Sequence, residues 1–330
     1  MRRDIWMNHK HRHKVNFVMD NFISQFVLLI ILIIICAFLS IKSLYFFTWI
    51  NFRNILDSIS IKLILALAMT FVIASGGIDL SVGSIVSLSG IIMAILISNK
   101  CSVLISILIG VFSAVIMGYI NGALIHYKRI NPFIVTLATA SLYRGLALII
   151  TKGAPITGFP KSFTFWGKGD LERINPPIVI AIALCIFSIF ILHRTKWGKY
   201  ALALGGNGDA LRKVGVKTGV YRITIFIIMG LMSGIVGLIV TARLNSAEAN
   251  AGLFMEMDAI TAVIMGGTLS TGGKANIIGT VIAVFLLGVI RNGLTILSIS
   301  PYYQQAFIGV LLLLSVVISE AREHRKIQLN

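Results

Sequence analysis

Long apolar runs with few charges alternate with short polar connections along most of the chain. A transmembrane helix needs about 20 mostly apolar residues, or fewer where it is broken or shielded by its neighbours. On this criterion the pattern predicts ten spans, at 22–41, 63–78, 80–98, 102–125, 133–150, 177–192, 223–242, 258–269, 276–290 and 303–319. The expected fold is therefore all-α and integral to a membrane, with about ten transmembrane helices, several of them short or broken by glycine.

The connections between these spans are too short for a second folded domain, because none is longer than 30 residues. We predict one transmembrane domain over 22–319, with an N-terminal tail over 1–21 and a C-terminal tail over 320–330. ATPase, kinase or nuclease chemistry would then have to reside on another chain.

Three connections are expected on the outer side of the membrane. Aromatic, Asn and Arg residues are mixed in 42–62, which suits a helix lying in the membrane interface. Several prolines fall in 151–176, so we expect an ordered cap there. The third connection, 243–257, carries the acids Glu248 and Glu256.

Composition supports the membrane assignment. Hydrophobic residues make up 57% of the chain, charged residues only 12%, and the mean hydropathy is +0.93; a soluble domain has about 25% charged residues. The net charge of +17 resembles that of a nucleic-acid-binding protein. However, the Lys and Arg residues lie at the ends of apolar runs, where insertion and anionic lipid headgroups account for them. No basic stripe with interleaved aromatics occurs, so no nucleic-acid partner is predicted.

The distribution of basic residues predicts the topology. With both termini inside, the inner segments carry 18 Lys and Arg residues and the outer segments ten, while Arg144 lies inside a span. This bias agrees with the positive-inside rule. The most basic connection, 193–222, has seven basic residues and one acid, and is expected in the cytoplasm.

Within that connection the sequence predicts a short helix, Asn207–Val214. Asn207 can cap its start and Gly215 can close its end, while Asp209 and Arg212 suit the first and last turns of the helix dipole. So short a helix is not stable alone in water. It is either part of a solvated charged loop or a helix docked against a partner.

No catalytic or metal-binding set emerges from the sequence. It contains no P-loop, HExxH or GxSxG motif, the three cysteines form no CxxC, and the six histidines lie in tails or at the inner ends of spans. We therefore predict neither an enzyme nor a metal site, and no cofactor bound by this chain.

Two glycine clusters interrupt apolar stretches, and in each a Gly-Gly pair is soon followed by Leu-Ser: GGIDLS at 76–81 and GGTLS at 266–270. The first begins at Gly76-Gly77 and the second at Gly266-Gly267, which indicates a diverged internal repeat. Glycine permits sharp turns and close helix approach, as required by broken helices around a translocation path. Tight helical hairpins that need small residues are the alternative.

A few polar groups could line such a path. Asp79 lies between two apolar runs; we predict that it caps a helix in a cytoplasmic turn, by accepting from the N–H of Ser81 or Val82, although an acid there can also be functional. Asn121 could hydrogen-bond a hydroxyl-rich solute. The same holds for Tyr302, Tyr303 and Gln304, for which aromatic-belt placement is the alternative.

Seven motifs together resemble one family. They are SGGIDLSVGS (75–84), NPFIVTLAT (131–139), WGKYALALGGNGDALRKVGV (197–216), ARLNSAEANAG (242–252), DAITAVIMGGTLSTGGK (258–274), IIGTVIAVFLLGVIRNGL (277–294) and SPYYQ (300–304). On these motifs the chain resembles the membrane permease of bacterial ABC sugar importers, most closely the ribose type. They cover nearly the whole chain in the family's order.

The resemblance implies a permease subunit of the bacterial cytoplasmic membrane that moves a monosaccharide by alternating access. It implies a second permease copy or paralogue, two cytoplasmic ATP-binding subunits that hold ATP and Mg²⁺, and an extracytoplasmic sugar-binding protein. The predicted helix would be the coupling helix in a cleft of the ATPase, with coupling residues Gly205, Gly206, Asn207, Asp209, Ala210, Arg212 and Gly215.

Two further sets of residues follow from the same interpretation. The path candidates are Gly76, Gly77, Asp79, Ser81, Asn121, Gly266, Gly267, Tyr302, Tyr303 and Gln304. The candidates for docking the binding protein are Arg243, Glu248 and Glu256.

Alternatives remain open at this point. A nucleoside or a furanose signalling sugar could be the solute. An ion-coupled secondary transporter is less favoured, because Arg144 is the one ionisable residue predicted at mid-span. A membrane enzyme acting on lipid would need a catalytic cluster that the sequence does not show.

Overall fold

The computed structural model describes residues 25–171 and 174–328. In this part of the chain there are twelve helices and two short strands. In chain order they are α1 (Gln25–Lys42), α2 (Trp49–Ala74), α3 (Val82–Ser98), α4 (Val103–Tyr127), α5 (Pro132–Thr151), β1 (Ile156–Thr157), α6 (Lys161–Lys168), α7 (Pro176–Arg194), α8 (Lys196–Lys213), α9 (Thr218–Leu244), β2 (Ser246–Ala247), α10 (Met255–Met265), α11 (Ile277–Ile296) and α12 (Pro301–Gln328).

The predicted all-α membrane architecture is confirmed. Eight of these helices are long and apolar enough to cross a membrane: α1, α2, α4, α5, α7, α9, α11 and α12. The apolar helix α3 has 17 residues. The eighth predicted span is α10, which has only 11 residues and a length of about 16 Å, too short to cross the hydrocarbon layer by itself.

The prediction of a separate interface helix in 42–62 is wrong. Most of that segment belongs to α2, which is one continuous helix from Trp49 to Ala74. Thr48 caps it by accepting from the N–H of Asn51 at 3.3 Å, and no Gly or Pro interrupts the following residues. Every residue from Leu63 to Ala74 is buried, so α2 forms the centre of the bundle. As a result, Lys62 lies in the middle of a helix rather than in an outer loop.

Glycine allows α4 and α9 to pack closely. A Cβ atom added at Gly118 of α4 would lie under 3.0 Å from the carbonyl of Phe226, and one at Gly230 of α9 would lie under 3.0 Å from the carbonyl of Ala114. Such backbone contact between membrane helices depends on residues without side chains.

The described residues of the connection after α5, up to 171 and from 174, are ordered, as expected from its prolines. β1 pairs antiparallel with β2, joining Ile156 to Ala247, and α6 packs against α9. At the other end of the chain, α12 continues to Gln328, so most of the predicted tail 320–330 is helical. The predicted tail 1–21 lies outside the described residues.

Candidate functional site

The predicted helix in 193–222 is present and forms the second half of α8. Its start, Asn207, has extended backbone angles (φ −160°, ψ 86°) and divides α8 in two. The Asn207 Oδ1 atom accepts from the N–H of Ala210 at 2.8 Å, which confirms the predicted cap. Gly215, at φ +83°, closes the helix as expected, and its N–H donates to the carbonyl of Arg212 at 3.0 Å.

The first half of α8, from Lys196 to Gly206, was not predicted. Thr195 caps it by accepting from the N–H of Gly198 at 3.1 Å. A threonine followed by a run of good helix formers is a recognisable start signal in the sequence.

The second half of α8 presents an exposed surface. Gly206, Asn207, Asp209, Ala210, Arg212 and Gly215 are exposed, and Val214 is 76% exposed. Beside them lies a shallow cavity of about 440 Å³, lined mostly by apolar residues: Leu202, Ala203, Gly206, Asn207, Ala210, Leu211, Val214 and Gly273. Asp209 and Arg212 form an exposed ion pair at 3.4 Å. An exposed apolar surface with a charged rim is typical of a protein contact.

The opposite side of α8 contacts the membrane domain backbone to backbone. A Cβ atom at Gly205 would lie under 3.0 Å from the carbonyl of Ala74, where α2 ends. The same carbonyl accepts from the N–H of Gly273 at 2.8 Å. A Cβ atom at Gly272 would lie 2.9 Å from the nitrogen of Gly76. We call this contact of α8, the end of α2 and the α10–α11 loop the glycine junction.

The two Gly-Gly clusters end their helices in the same way, but with an offset of one residue. Gly76 and Gly267 have φ of +81° and +91°, and each directly follows the C-cap residue of its helix, Ser75 or Gly266. The next N–H in each case, from Gly77 and Thr268, donates to the carbonyl of Val72 or Val263. This is the hydrogen-bond pattern of a Schellman motif. Structurally, Gly76 thus corresponds to Gly267 and not to Gly266.

Asp79, Ser81 and Asn121 come together in a fully buried cluster. The Asp79 Oδ1 atom accepts from the N–H of Ser81 at 2.8 Å and from its hydroxyl at 2.6 Å, and the amide of Asn121 donates to that hydroxyl at 2.8 Å. The predicted hydrogen bond from the N–H of Ser81 to Asp79 is confirmed, but Asp79 is not the N-cap of α3 and does not lie in an exposed turn. Helix α3 begins at Val82, and its N-cap is Ser81. Asp79 is fully buried, because α4 and α5 cover it.

Three further charged residues inside the bundle were missed. Asp258, in the first turn of α10, pairs with Lys62 of α2 at 3.1 Å and with Arg291 of α11 at 2.7 Å. The prediction that Arg144 is the one ionisable residue at mid-span is therefore wrong. It failed because Lys62 and Arg291 were assigned to outer connections, although no helix breaker separates either residue from its helix.

Arg144 holds the segment that leads into α10. Its Nη1 atom donates to the carbonyls of Ala249 and Ala251, the latter at 2.9 Å. The hydroxyl of Ser87 donates to the carbonyl of Ala249 as well, at 2.9 Å. The segment 245–254 therefore folds inward against α3 and α5, and α10 starts within the bundle.

The three residues predicted to dock a binding protein lie in different environments. Glu248 is exposed, and Arg243 is half-buried in the last turn of α9. Glu256 is not presented outward, because its Oε2 atom is buried beside α3, where a Cβ atom at Gly83 would lie 2.7 Å away.

The path candidates do not form one site. Gly76 belongs to the glycine junction, and Gly77 packs beside it against Phe226 and Val72. Gly266 and Gly267 adjoin the start of α11, at Gly279 and Asn276. Separately, Tyr302 and Tyr303 are 87% and 73% exposed at the start of α12, while Gln304 is buried and donates to Thr295 at 3.3 Å.

Comparisons with known proteins agree on one family. Residues 51–316 match the family of branched-chain amino acid transport system permease components. The chain is 37% identical to the ribose import permease protein RbsC of Bacillus subtilis (strain 168), over 91% of this chain and 93% of that protein. It is 36% identical to RbsC of Escherichia coli (strain K12), over 89% and 93%. It is 33% identical to the D-allose transport system permease protein AlsC of Escherichia coli (strain K12), over 88% and 89%.

No solved structure matches this chain. The family match covers most of the sequence, and the fold is that of a multi-pass membrane protein. The chain thus belongs to the branched-chain amino acid transport system permease family and is a transport permease component, not an enzyme.

Proposed function

We propose that this chain is the membrane permease subunit of an ABC importer for a monosaccharide, ribose or a similar pentose or hexose. Its similarity over about nine-tenths of its length to permeases named for ribose and allose supports this solute class. The observation that carries the proposal is α8. Its exposed capped half fits a protein partner, while Gly205 on its other side contacts the membrane domain directly.

In this proposal the partner at α8 is an ATP-binding subunit, and two such subunits hold the ATP and Mg²⁺. A second permease copy, or a paralogue, completes the membrane part. A sugar-binding protein delivers the solute to the outer face, where Glu248 and Arg243 lie. The complex resides in the bacterial cytoplasmic membrane with both termini in the cytoplasm.

In this proposal the glycine junction transmits movement from α8 to the membrane domain. When the ATP-binding subunits close, α8 moves with them. Because Gly205 is in backbone contact with the end of α2, and Gly273 hydrogen-bonds to the same carbonyl, that movement reaches α2 and the α10–α11 loop together. Packed backbones shift between discrete arrangements rather than deforming continuously. Alternating access then follows from movement of α2 and α10 against the rest of the bundle.

Reconstitution tests the proposal. The chain is purified with the ATP-binding and sugar-binding proteins encoded beside it, placed in liposomes, and assayed with labelled ribose, allose and a nucleoside. We expect uptake of a monosaccharide that requires ATP and is stimulated by the loaded binding protein. Uptake by the chain alone, driven by a proton or sodium gradient and indifferent to ATP, would contradict it. ATP-dependent uptake of the nucleoside alone would support the importer function but contradict the assignment of a monosaccharide as the solute.

A further inference from the structure

The ion cluster of Lys62, Asp258 and Arg291 is not explained by helix packing alone. Each oxygen of Asp258 faces one cation, Oδ1 toward Arg291 and Oδ2 toward Lys62. Two cations therefore share one acid. The three side chains of this cluster therefore carry a surplus of one positive charge among themselves.

This cluster also has more donors than acceptors. Lysine offers three N–H donors and arginine five, against the two oxygens of one carboxylate. The Nε–H of Arg291 is buried and has no acceptor among the described residues. Buried polar groups in proteins are nearly always paired, so this donor indicates an acceptor that the described chain does not itself supply.

The cluster lies inside the bundle, nearer the end away from α8. Lys62 is twelve residues before the end of α2 and Arg291 fourteen residues after the start of α11, which places them about 18–21 Å from the glycine junction. The hydrocarbon layer is about 30 Å thick. Arg291 and Lys62 keep side-chain exposures of 28% and 14%, whereas Asp258 keeps 8%. The two cations are therefore more accessible than the acid they share.

Polar residues on α11 lead to this cluster from the end farther from α8. Thr295 is exposed, and Asn292 and Arg291 are half-buried. Asn292 exchanges two amide hydrogen bonds with Asn51 of α2, at 2.8 and 3.1 Å. Ionisable residues inside membrane helices face the bundle interior or a water-filled cavity and mark solute pathways, which fits Arg291 at the inner end of this polar stretch.

We propose that Lys62, Asp258 and Arg291 form a contact site for the transported solute, and that this solute is a neutral polyhydroxylated sugar. This rests on the importer function proposed above. Sugar oxygens accept from the surplus N–H donors of Arg291 and Lys62, and a sugar hydroxyl donates to Asp258. The contact is transient, because the solute replaces part of an ion pair that re-forms after it has passed.

The test pairs Arg291→Gln with solutes that lack single hydroxyl groups. Arg291→Gln leaves Lys62 and Asp258 as a balanced pair while removing the guanidinium donors. Maximal uptake by the complete reconstituted complex is measured at saturating loaded binding protein, for the parent sugar and its deoxy analogues. Under these conditions the affinity of the binding protein does not limit the rate. Arg53→Gln, near the start of α2, is the matched control.

We expect Arg291→Gln to lower parent-sugar uptake at least about tenfold, and to lower uptake of one deoxy analogue much less, since that analogue lacks the contacting hydroxyl. Equal reduction for every solute would mean that Arg291 only supports the fold, and would overturn the proposal. Preferential transport of a carboxylated sugar by the unmodified complex would also overturn it. If Arg291→Gln does not fold, Arg291→Lys serves in the same comparison. Absence of any ATP-driven sugar uptake by the unmodified complex would instead refute the proposed function.

Discussion

Gly205 of α8 lies so close to Ala74 at the end of α2 that a Cβ atom at Gly205 would be under 3.0 Å from the Ala74 carbonyl oxygen. That oxygen already accepts from the N–H of Gly273. A single backbone carbonyl thus joins α8, α2 and the α10–α11 loop. It places α8, on the side opposite its exposed surface, in direct contact with two elements of the membrane domain.

The first prediction concerns Gly205→Ala. Because the obstructing atoms belong to the backbone, the methyl group must displace α8 from α2, at a cost of about 1–3 kcal/mol. We expect ATP hydrolysis by the reconstituted complex to continue while sugar moved per ATP falls severalfold. Gly206→Ala is the matched control, because its Cβ atom would meet Gly273 at an ordinary 3.6 Å. Equal coupling in the two variants would show that the close contact is not needed.

The second prediction concerns the cap of the exposed half of α8. Asn207→Ala removes the hydrogen bond to the N–H of Ala210, and Asp209→Ala removes the acid in the first turn. Together they should cost about 1 kcal/mol of local helix stability. Membrane insertion should be normal, whereas the affinity for the ATP-binding subunit, measured in nanodiscs, should fall. Asn207→Asp retains a capping oxygen and should restore most of that affinity.

The third prediction concerns Arg144, which donates to the carbonyls of Ala249 and Ala251. Arg144→Met leaves those buried carbonyls without this donor, at a cost of about 1–3 kcal/mol. Hydrogen exchange should become faster in 245–254, and uptake should fall. Arg144→Lys keeps the charge but not the forked donor geometry. Its hydrogen-exchange rate and its uptake should therefore lie between those of the unmodified protein and of Arg144→Met. Unchanged exchange in Arg144→Met would show that Ser87 alone holds the segment.

The fourth prediction compares two substitutions of Asp79. Asp79→Ala leaves the N–H and hydroxyl of Ser81 without their acceptor, which should destabilise the detergent-solubilised protein by about 1–3 kcal/mol. Asp79→Asn keeps an oxygen in that position and should retain most of the stability. Thermal unfolding of the two variants distinguishes these cases. If Asp79→Asn is as unstable as Asp79→Ala, the negative charge of Asp79 contributes more to stability than its role as a hydrogen-bond acceptor.

The sequence predicts local structure well where the signal itself is local. Asn207 and Gly215 mark the ends of the short helix in α8 because capping depends on a few neighbouring residues. The order of the apolar helices follows in the same way from the apolar runs along the chain. Lys62 and Arg291 were misplaced because a hydropathy boundary stops at a charge, whereas a helix continues until its backbone is broken.

Contacts between distant segments could not be predicted. The sequence shows glycines at 76, 205 and 273, but not that they meet, because that depends on how three elements pack. The inward fold of 245–254 and the short α10 depend on Arg144, more than 100 residues earlier. The pairing of Asp258 with two helices is likewise a result of tertiary structure.

Chemical cross-linking from Ala210 tests the central claim most directly, namely that the exposed half of α8 contacts an ATP-binding subunit. Ala210→Cys is made in a background without the native cysteines, at positions 36, 101 and 185, and the purified complex is treated with a short cross-linker. Tyr302→Cys, at the exposed start of α12, is the control. The account predicts a covalent product with the ATP-binding subunit from Ala210→Cys and none from Tyr302→Cys. A product from Tyr302→Cys, with none from Ala210→Cys in an active complex, would contradict it.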